Sequence, residues 1–497
     1  MRVRKGIAMV TNAVMFLILC IFAFIPLLLG ELAQNRSDNT LNDFILHNRN
    51  MNIVPLFGTV FSTWMSAFAF IGAIGYFVNE GPIYMTSIGW DALFGILFII
   101  VGKRIWFYGR QHNYLTPVDF FDDIYNSKAL NVVVNIVTIG CTMIYLQVQI
   151  IGGILVLNIA TEGRVSIYMG ALIFFMILVV YLWAGGLRAV AFTDLFYGVL
   201  TITAILASGF YIIHLAGGDD YVFNNLIEKN ISYVTLIGSE GSRHTILWIC
   251  LFLVVPLGAF MGPQLWIRNY ASSKESNFNI MPLLICLASV LCLGALLAGS
   301  GCASMSTSSG NADGILIELI KENGNPYFYV FIVIGIYATI FSTANSQVHA
   351  LSAIFTMDIY KRYVNKNAPE KKLLRIAKFA VIGVSAVSYL LVILVPQSVF
   401  DLAVIALGGT AQLIVPVLGA LYWKESTPKG ALIGLVSSEV MYIFFINFSR
   451  GDASVCSVIC LIVNVFCFIS ASLTDTSRIR TRNKIISYKR EYRTRNY

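Results

Sequence analysis

Charge is scarce in this chain. Only 12% of its 497 residues are Asp, Glu, Lys or Arg, against about 25% in soluble globular proteins. Hydrophobic residues make up 57%, and the mean hydropathy is +0.76. So few charges exclude an ordinary soluble protein and point to a polytopic protein of the lipid bilayer. Histidine is rarer still: the five His are scattered and show no metal-ligand spacing. There is no HExxH, no GxSxG-type elbow and no cluster of His with acidic residues, so the chain does not read as an enzyme. The nine cysteines are an odd number, and most lie in apolar runs, Cys141, Cys250, Cys286, Cys292, Cys460 and Cys467 among them. They read as small core hydrophobes and not as a disulfide set. No soluble domain, linker or low-complexity tract stands out beyond a basic tail, which leaves little room for a nucleic-acid partner. No obligate protein partner is evident.

What the chain has instead is apolar runs. The first, about 7–29, follows Arg2, Arg4 and Lys5. It is too long for a signal-peptide core and lacks a clean cleavage site, so it reads as a retained helix. Further runs follow at about 54–77, 87–102, 131–160, 167–184, 190–214, 246–266, 280–300, 327–357, 376–395, 401–422, 430–448 and 454–473, thirteen in all. Basic residues mark one side. They include Lys103, Arg104, Arg110 and Lys128, then Lys361, Arg362, Lys366, Lys371, Lys372 and Arg375, then the tail after Leu473. Taking that side as cytoplasmic puts the C-terminus inside and the N-terminus outside a plasma membrane, against the vote of Arg2, Arg4 and Lys5.

Polar groups inside these runs carry the functional signal. In 327–357 the stretch YATIFSTANSQVHA gathers Thr339, Ser342, Thr343, Asn345 and Ser346. At 3.6 residues per turn, 339, 342, 343 and 346 share one helix face. Such hydroxyls either bond back to their own helix or glue helices together, or they offer the oxygen ligands that hard cations prefer. Ser62-Thr63-Trp64-Met65-Ser66 opens a second polar patch, with Gly72 and Gly75 after it, as expected of an interrupted helix with freed carbonyls. Asp194 enters an apolar run, and a carboxylate there is a functional hypothesis by default; the alternative is an interfacial pair with Arg188. Gly262-Pro263-Gln264 breaks a helix, and Arg268 is expected to cap its cytoplasmic end. His349 reads as packed or inward-facing.

Together these stretches resemble the sodium/solute symporter family of proline, pantothenate, sugar and monocarboxylate symporters. Gly185-Gly186-Leu187-Arg188-Ala189-Val190-Ala191-Phe192-Thr193-Asp194 resembles its GG-x-x-AV-x-x-TD turn. Ser342-Thr343-Ala344-Asn345-Ser346-Gln347, with Asp358-Ile359-Tyr360 downstream, resembles its ST-x-x-SQ…DIY helix. Asn42-Asp43-Phe44 with Arg49, and Leu407-Gly408-Gly409 with Tyr422-Trp423-Lys424, are similar to further family segments over about 40–450. The resemblance implies an all-α polytopic membrane protein of about 13 transmembrane helices with a LeuT-type five-plus-five inverted repeat. Residues 1–52 would form an extra helix and loop, 53–215 the first repeat, 216–425 the second, 426–473 two peripheral helices and 474–497 a basic cytoplasmic tail.

The same resemblance implies sodium (Na+) as the coupling ion. Its main site would use the carbonyls of Ser62, Met65 and Thr339 and the hydroxyls of Ser342 and Thr343. Asp194, Asn345 and Ser346 would form a second sodium site or a proton site. The expected solute pocket takes Trp64, Ser66 and Phe68 from the broken helix, Tyr145, Gln147 and Gln149 from the fourth helix, and Gln264. No Lys or Arg is expected at membrane depth, which speaks against a sialic-acid-type pocket. The expected function is sodium-coupled import of a small organic solute bearing a carboxylate. The alternatives are a neutral sugar as solute, or proton coupling. A channel would need polar groups spread along a pore, and here they are clustered.

Overall fold

The computed structural model describes residues 28, 38, 40–235, 242–291, 293–306, 312–392, 398–449, 451–475 and 478–494. The first apolar run lies outside them, apart from Leu28. The described chain is helical, and an isolated bridge between Met51 and Ser272 is its nearest approach to a strand. In order, the helices are α1 Leu41–Leu46, α2 Ile53–Trp64, α3 Phe68–Glu80, α4 Ser87–Gln111, α5 Pro117–Tyr125, α6 Lys128–Ala160 and α7 Ile167–Leu215. Then come α8 Asp219–Lys229, α9 Thr245–Met261, α10 Pro263–Ala271, α11 Asn277–Met305, α12 Ile315–Asn323 and α13 Pro326–Val364. The chain closes with α14 Glu370–Val392, α15 Val399–Tyr422, α16 Pro428–Phe448, α17 Ala453–Thr474 and α18 Arg478–Thr494.

Among the described residues, nine helices are long and apolar enough to cross a membrane, or eleven if each of two bent pairs counts as one span. The run at 167–184 is represented by the shorter apolar helix Tyr168–Val179. The ends are set by local chemistry. Thr116 and Asp119 form a reciprocal capping box with Pro117 at the first turn of α5. Asn325 caps α13 ahead of Pro326, and Thr427 caps α16 ahead of Pro428. Backbone groups in hydrocarbon have no water to bond, so each span closes its own ladder, and a break is tolerated where the freed backbone is buried in protein.

Three such breaks position the site. α2 ends at Met65, whose extended backbone (φ −78°, ψ 95°) turns the chain before α3 resumes at 54° to α2. Ser66 restarts α3: its hydroxyl accepts from the Phe68 amide, and its carbonyl accepts from the amides of Ala69 and Phe70. α9 and α10 meet at 58° across Gly262, where Pro263 has no N–H to continue the ladder. α7 breaks at Gly186 (φ 55°, ψ −151°), and a Cβ there would stand 2.7 Å from the Phe44 carbonyl oxygen. Both the backbone region and the space demand glycine. Gly186→Ala is expected to destabilise the fold by about 1–3 kcal/mol, read as a lower apparent Tm in detergent, while Gly140→Ala, whose Cβ meets nothing within 4 Å, serves as the neutral control.

At the centre lies α13, which packs against α7, α6, α14, α2 and α10. Every residue from Ile336 to Ile354 is buried. α16 and α17 pair with each other at the periphery. The basic tail, expected only to face an anionic leaflet, folds as α18 against α5, α15 and the end of α4. Lys484 and Tyr488 both bond the Asp123 carboxylate, and Tyr488 stacks on Tyr108 at 4.6 Å.

Candidate functional site

The break after α2 faces the polar stripe of α13. The Ser342 hydroxyl donates to the carbonyls of Ser62 and Thr339, at 2.9 Å each. The Thr343 hydroxyl lies 3.2 Å from the Ser62 carbonyl and 3.3 Å from those of Thr63 and Thr339. The side chains at 62 and 339 are turned away. The Ser62 hydroxyl donates to the Asp194 carbonyl at 2.5 Å, and the Thr339 hydroxyl bonds the Gly335 carbonyl and Thr201. These two residues therefore present backbone oxygens to the cluster, and positions 342 and 343 present hydroxyls. The set is neutral, all-oxygen and fully buried, which suits a hard monovalent cation. Met65 stands at the break, but no hydrogen bond links it to this cluster among the described residues.

One turn further along α13 the geometry departs from expectation. Asp194 does not pair with Arg188; Arg188 donates to Asp43 at 2.9 Å. Arg268 does not cap a helix at the surface; its side chain is 0% exposed, as is that of Asp194, and the two pair at 3.3 Å. The Arg268 Nε donates to Thr59 at 2.8 Å, one terminal nitrogen donates to the Gln264 carbonyl at 2.8 Å, and the other also bonds the Ser346 hydroxyl. Thr59 in turn donates to the Asp194 carboxylate at 2.5 Å. A guanidinium thus lies against Asp194 and Ser346, the position read as a second ion site. Asn345 is buried nearby with its side-chain oxygen unpartnered, and no bond joins it to Asp194. The expectation of no buried Arg was wrong as well. Arg268 follows an uncharged stretch that begins at Thr245, and only the tertiary fold turns it inward.

The solute-pocket residues divide. Ser66 and Tyr145 share a hydrogen bond at 3.0 Å, and the Gln149 side-chain oxygen accepts from the Ala67 amide at 3.1 Å, so α6 is brought onto the α2–α3 break. Among the described residues, Gln147 donates to the Met143 carbonyl of its own helix. One polar atom each of Gln147, Gln149 and Gln264 is buried without a partner among the described residues, and so is free to bond a ligand or water. Trp64 and Phe68 line a small cavity with Met65, Ala69, Ser87, Trp90, Asp91 and Ser289. Asp91 escaped the sequence reading although it interrupts the apolar run at 87–102, the same signal that singled out Asp194. It accepts a hydrogen bond from the Trp64 indole at 2.6 Å. His349, read as packed, is buried and bonds the Phe44 carbonyl at 2.8 Å.

Known structures share this architecture. The substrate-bound outward-open state of a Na+-coupled sialic acid symporter superposes with a TM-score of 0.78 at 16% identity, covering 94% of this chain and 98% of that one. MhsT in complex with L-phenylalanine gives 0.56 at 15% identity, with 84% and 98% covered. The fold is that of the LeuT-type secondary transporters. At the sequence level the family model for the sodium:solute symporter family matches residues 44–437, and the chain belongs to that family, one of transporters and not of enzymes. Relatives include a sodium/proline symporter of Haemophilus influenzae, 25% identical over 84% of this chain and 86% of the relative. A sodium/pantothenate symporter of Escherichia coli is 25% identical over 82% and 85%. An uncharacterized symporter of Bacillus subtilis, YhjB, is 22% identical over 93% and 97%.

Proposed function

We propose that this protein is a plasma-membrane symporter that uses inward sodium movement to import a small organic solute bearing a carboxylate, by alternating access. The observation that carries the reading is the convergence of the Ser342 and Thr343 hydroxyls on the Ser62 and Thr339 carbonyls at the α2 break. In this reading sodium takes over those oxygens, with the Met65 carbonyl joining them, and ties the broken helix to α13. The solute lies on the other side of the same break, beside Trp64, Ser66, Phe68, Tyr145 and Gln149, with Gln147 and Gln264 reaching it from α6 and α10. One short segment then senses both cargoes, which is the physical basis of coupling: each ligand favours the arrangement the other requires. Arg268 is already engaged by Asp194, so a solute carboxylate would be met by sodium and by the N-terminal end of α3. The orientation follows the basic loops, with the N-terminus outside and the C-terminus cytoplasmic.

The direct test is uptake into proteoliposomes with and without an inward sodium gradient, across carboxylates and sugars. Accumulation of a carboxylate only with the gradient supports the proposal; sodium-independent flux, or accumulation of sugars alone, overturns it. Gln149→Ala and Trp64→Ala are each expected to weaken solute affinity by about tenfold, the value of one good polar or aromatic contact. Sodium-induced thermal stabilisation should persist in both variants. If solute affinity is unchanged in both, the pocket lies elsewhere.

A further inference from the structure

The cavity beside the α2 break is built from aromatic rings around one acid. Trp64 and Phe68 come from the two sides of the break, and Trp90 and Asp91 from α4. Asp91 is 4% exposed and Trp90 2%. The Trp64 indole donates to the Asp91 carboxylate and stacks on Phe94 at 4.2 Å, and Ser289 and Trp90 also hydrogen-bond that carboxylate, so the acid is aimed at the break and held there. No Lys, Arg or His pairs with Asp91 among the described residues. A buried carboxylate without a cation is costly, and the other buried acid of this region, Asp194, has its cation in Arg268. The cavity measures about 20 Å³, room for one water-sized group at roughly 10–15 Å³ each.

We propose that the Asp91 cavity receives the ammonium group of the solute, so that the transported compound is a small zwitterion carrying a primary or secondary ammonium as well as a carboxylate. This rests on the proposed placement of the solute at the α2 break. An ammonium is about the size of the cavity, carries a charge opposite to that of the Asp91 carboxylate, and suits a lining that includes Trp64, Trp90 and Phe68. A trimethylammonium group is too large for it. A sugar hydroxyl would add one more neutral hydrogen bond and leave the charge uncompensated. Met65 lines the cavity and also ends α2 at the cation cluster. In the proposal, the ammonium lies at Asp91 and the carboxylate points toward the sodium across this one break.

The test is thermal stabilisation of the purified full-length protein, in saturating sodium, by a panel of small α-, β- and γ-amino acids. Each is paired with its N-acetyl and its hydroxy-acid counterpart. The expected result is that at least one amino acid binds, and that loss of the ammonium weakens binding about tenfold or more, as for a charge-assisted hydrogen bond. Asp91→Asn, which keeps shape and size, should abolish the preference while sodium alone still stabilises the variant, which shows that it is folded. The inference is overturned if no amino acid binds, if the N-acetyl or hydroxy compounds bind equally well, or if Asp91→Asn retains the preference. Absence of any stabilisation by sodium in the unaltered protein would count against the symport reading itself, a different failure from the first three.

Discussion

Arg268→Gln is expected to stop transport and to destabilise the protein by about 3–5 kcal/mol, the cost of stranding one member of a buried ion pair. Asp194 and Arg268 are both fully buried, and Thr59 bridges them. Removing the guanidinium leaves Asp194 without its cation and Thr59, Ser346 and the Gln264 carbonyl each short of a partner. Adding Asp194→Asn to Arg268→Gln is expected to recover most of the stability, because both charges are then gone; thermal unfolding in detergent reads this. If the single variant is as stable as the parent, the pair is not formed in the folded protein. The same contact bears on stoichiometry. Asp194 already holds a cation tethered to α10, so sodium uptake is expected to show a Hill coefficient near one. A coefficient near two in the unaltered protein would mean that Arg268 withdraws and a second sodium enters.

The Ser342→Ala, Thr343→Ala double variant is expected to raise the sodium concentration for half-maximal uptake by about tenfold or more. In the proposed ion site the double variant removes two neutral oxygen ligands that offset the dehydration of the ion, and every tenfold corresponds to about 1.4 kcal/mol. Expression should change little. The substitutions are small for small, and the hydroxyls contribute only about 0.5–1.5 kcal/mol each to the fold through their bonds to carbonyls. Solute affinity at saturating sodium should approach that of the parent. Unchanged sodium dependence in the double variant would remove the ion site from α13.

Much of this was legible in the sequence. The scarcity of charge and the apolar runs determined that the chain is a membrane helix bundle, because a spanning segment must satisfy its own backbone hydrogen bonds and carry side chains that tolerate hydrocarbon. The small polar residues at 339, 342, 343 and 346 share a face by helix geometry alone, and the breaks at Ser62–Ser66 and Gly262–Pro263 follow from local chemistry. What a side chain at depth is paired with was not legible. Arg188 and Asp194 are six residues apart, yet each finds its partner more than seventy residues away in the chain, in Asp43 and Arg268. Arg268 read as a cap because its own helix ends three residues later; it is buried because the α9–α10 bend carries it onto Thr59 of α2. Asp91 likewise acquires its place at the α2 break only when α4 packs its acid against Trp64. Spacing along one helix decides which residues share a face. Which faces meet, and therefore which charges neutralise one another and which wait for a ligand, is decided only when the helices pack.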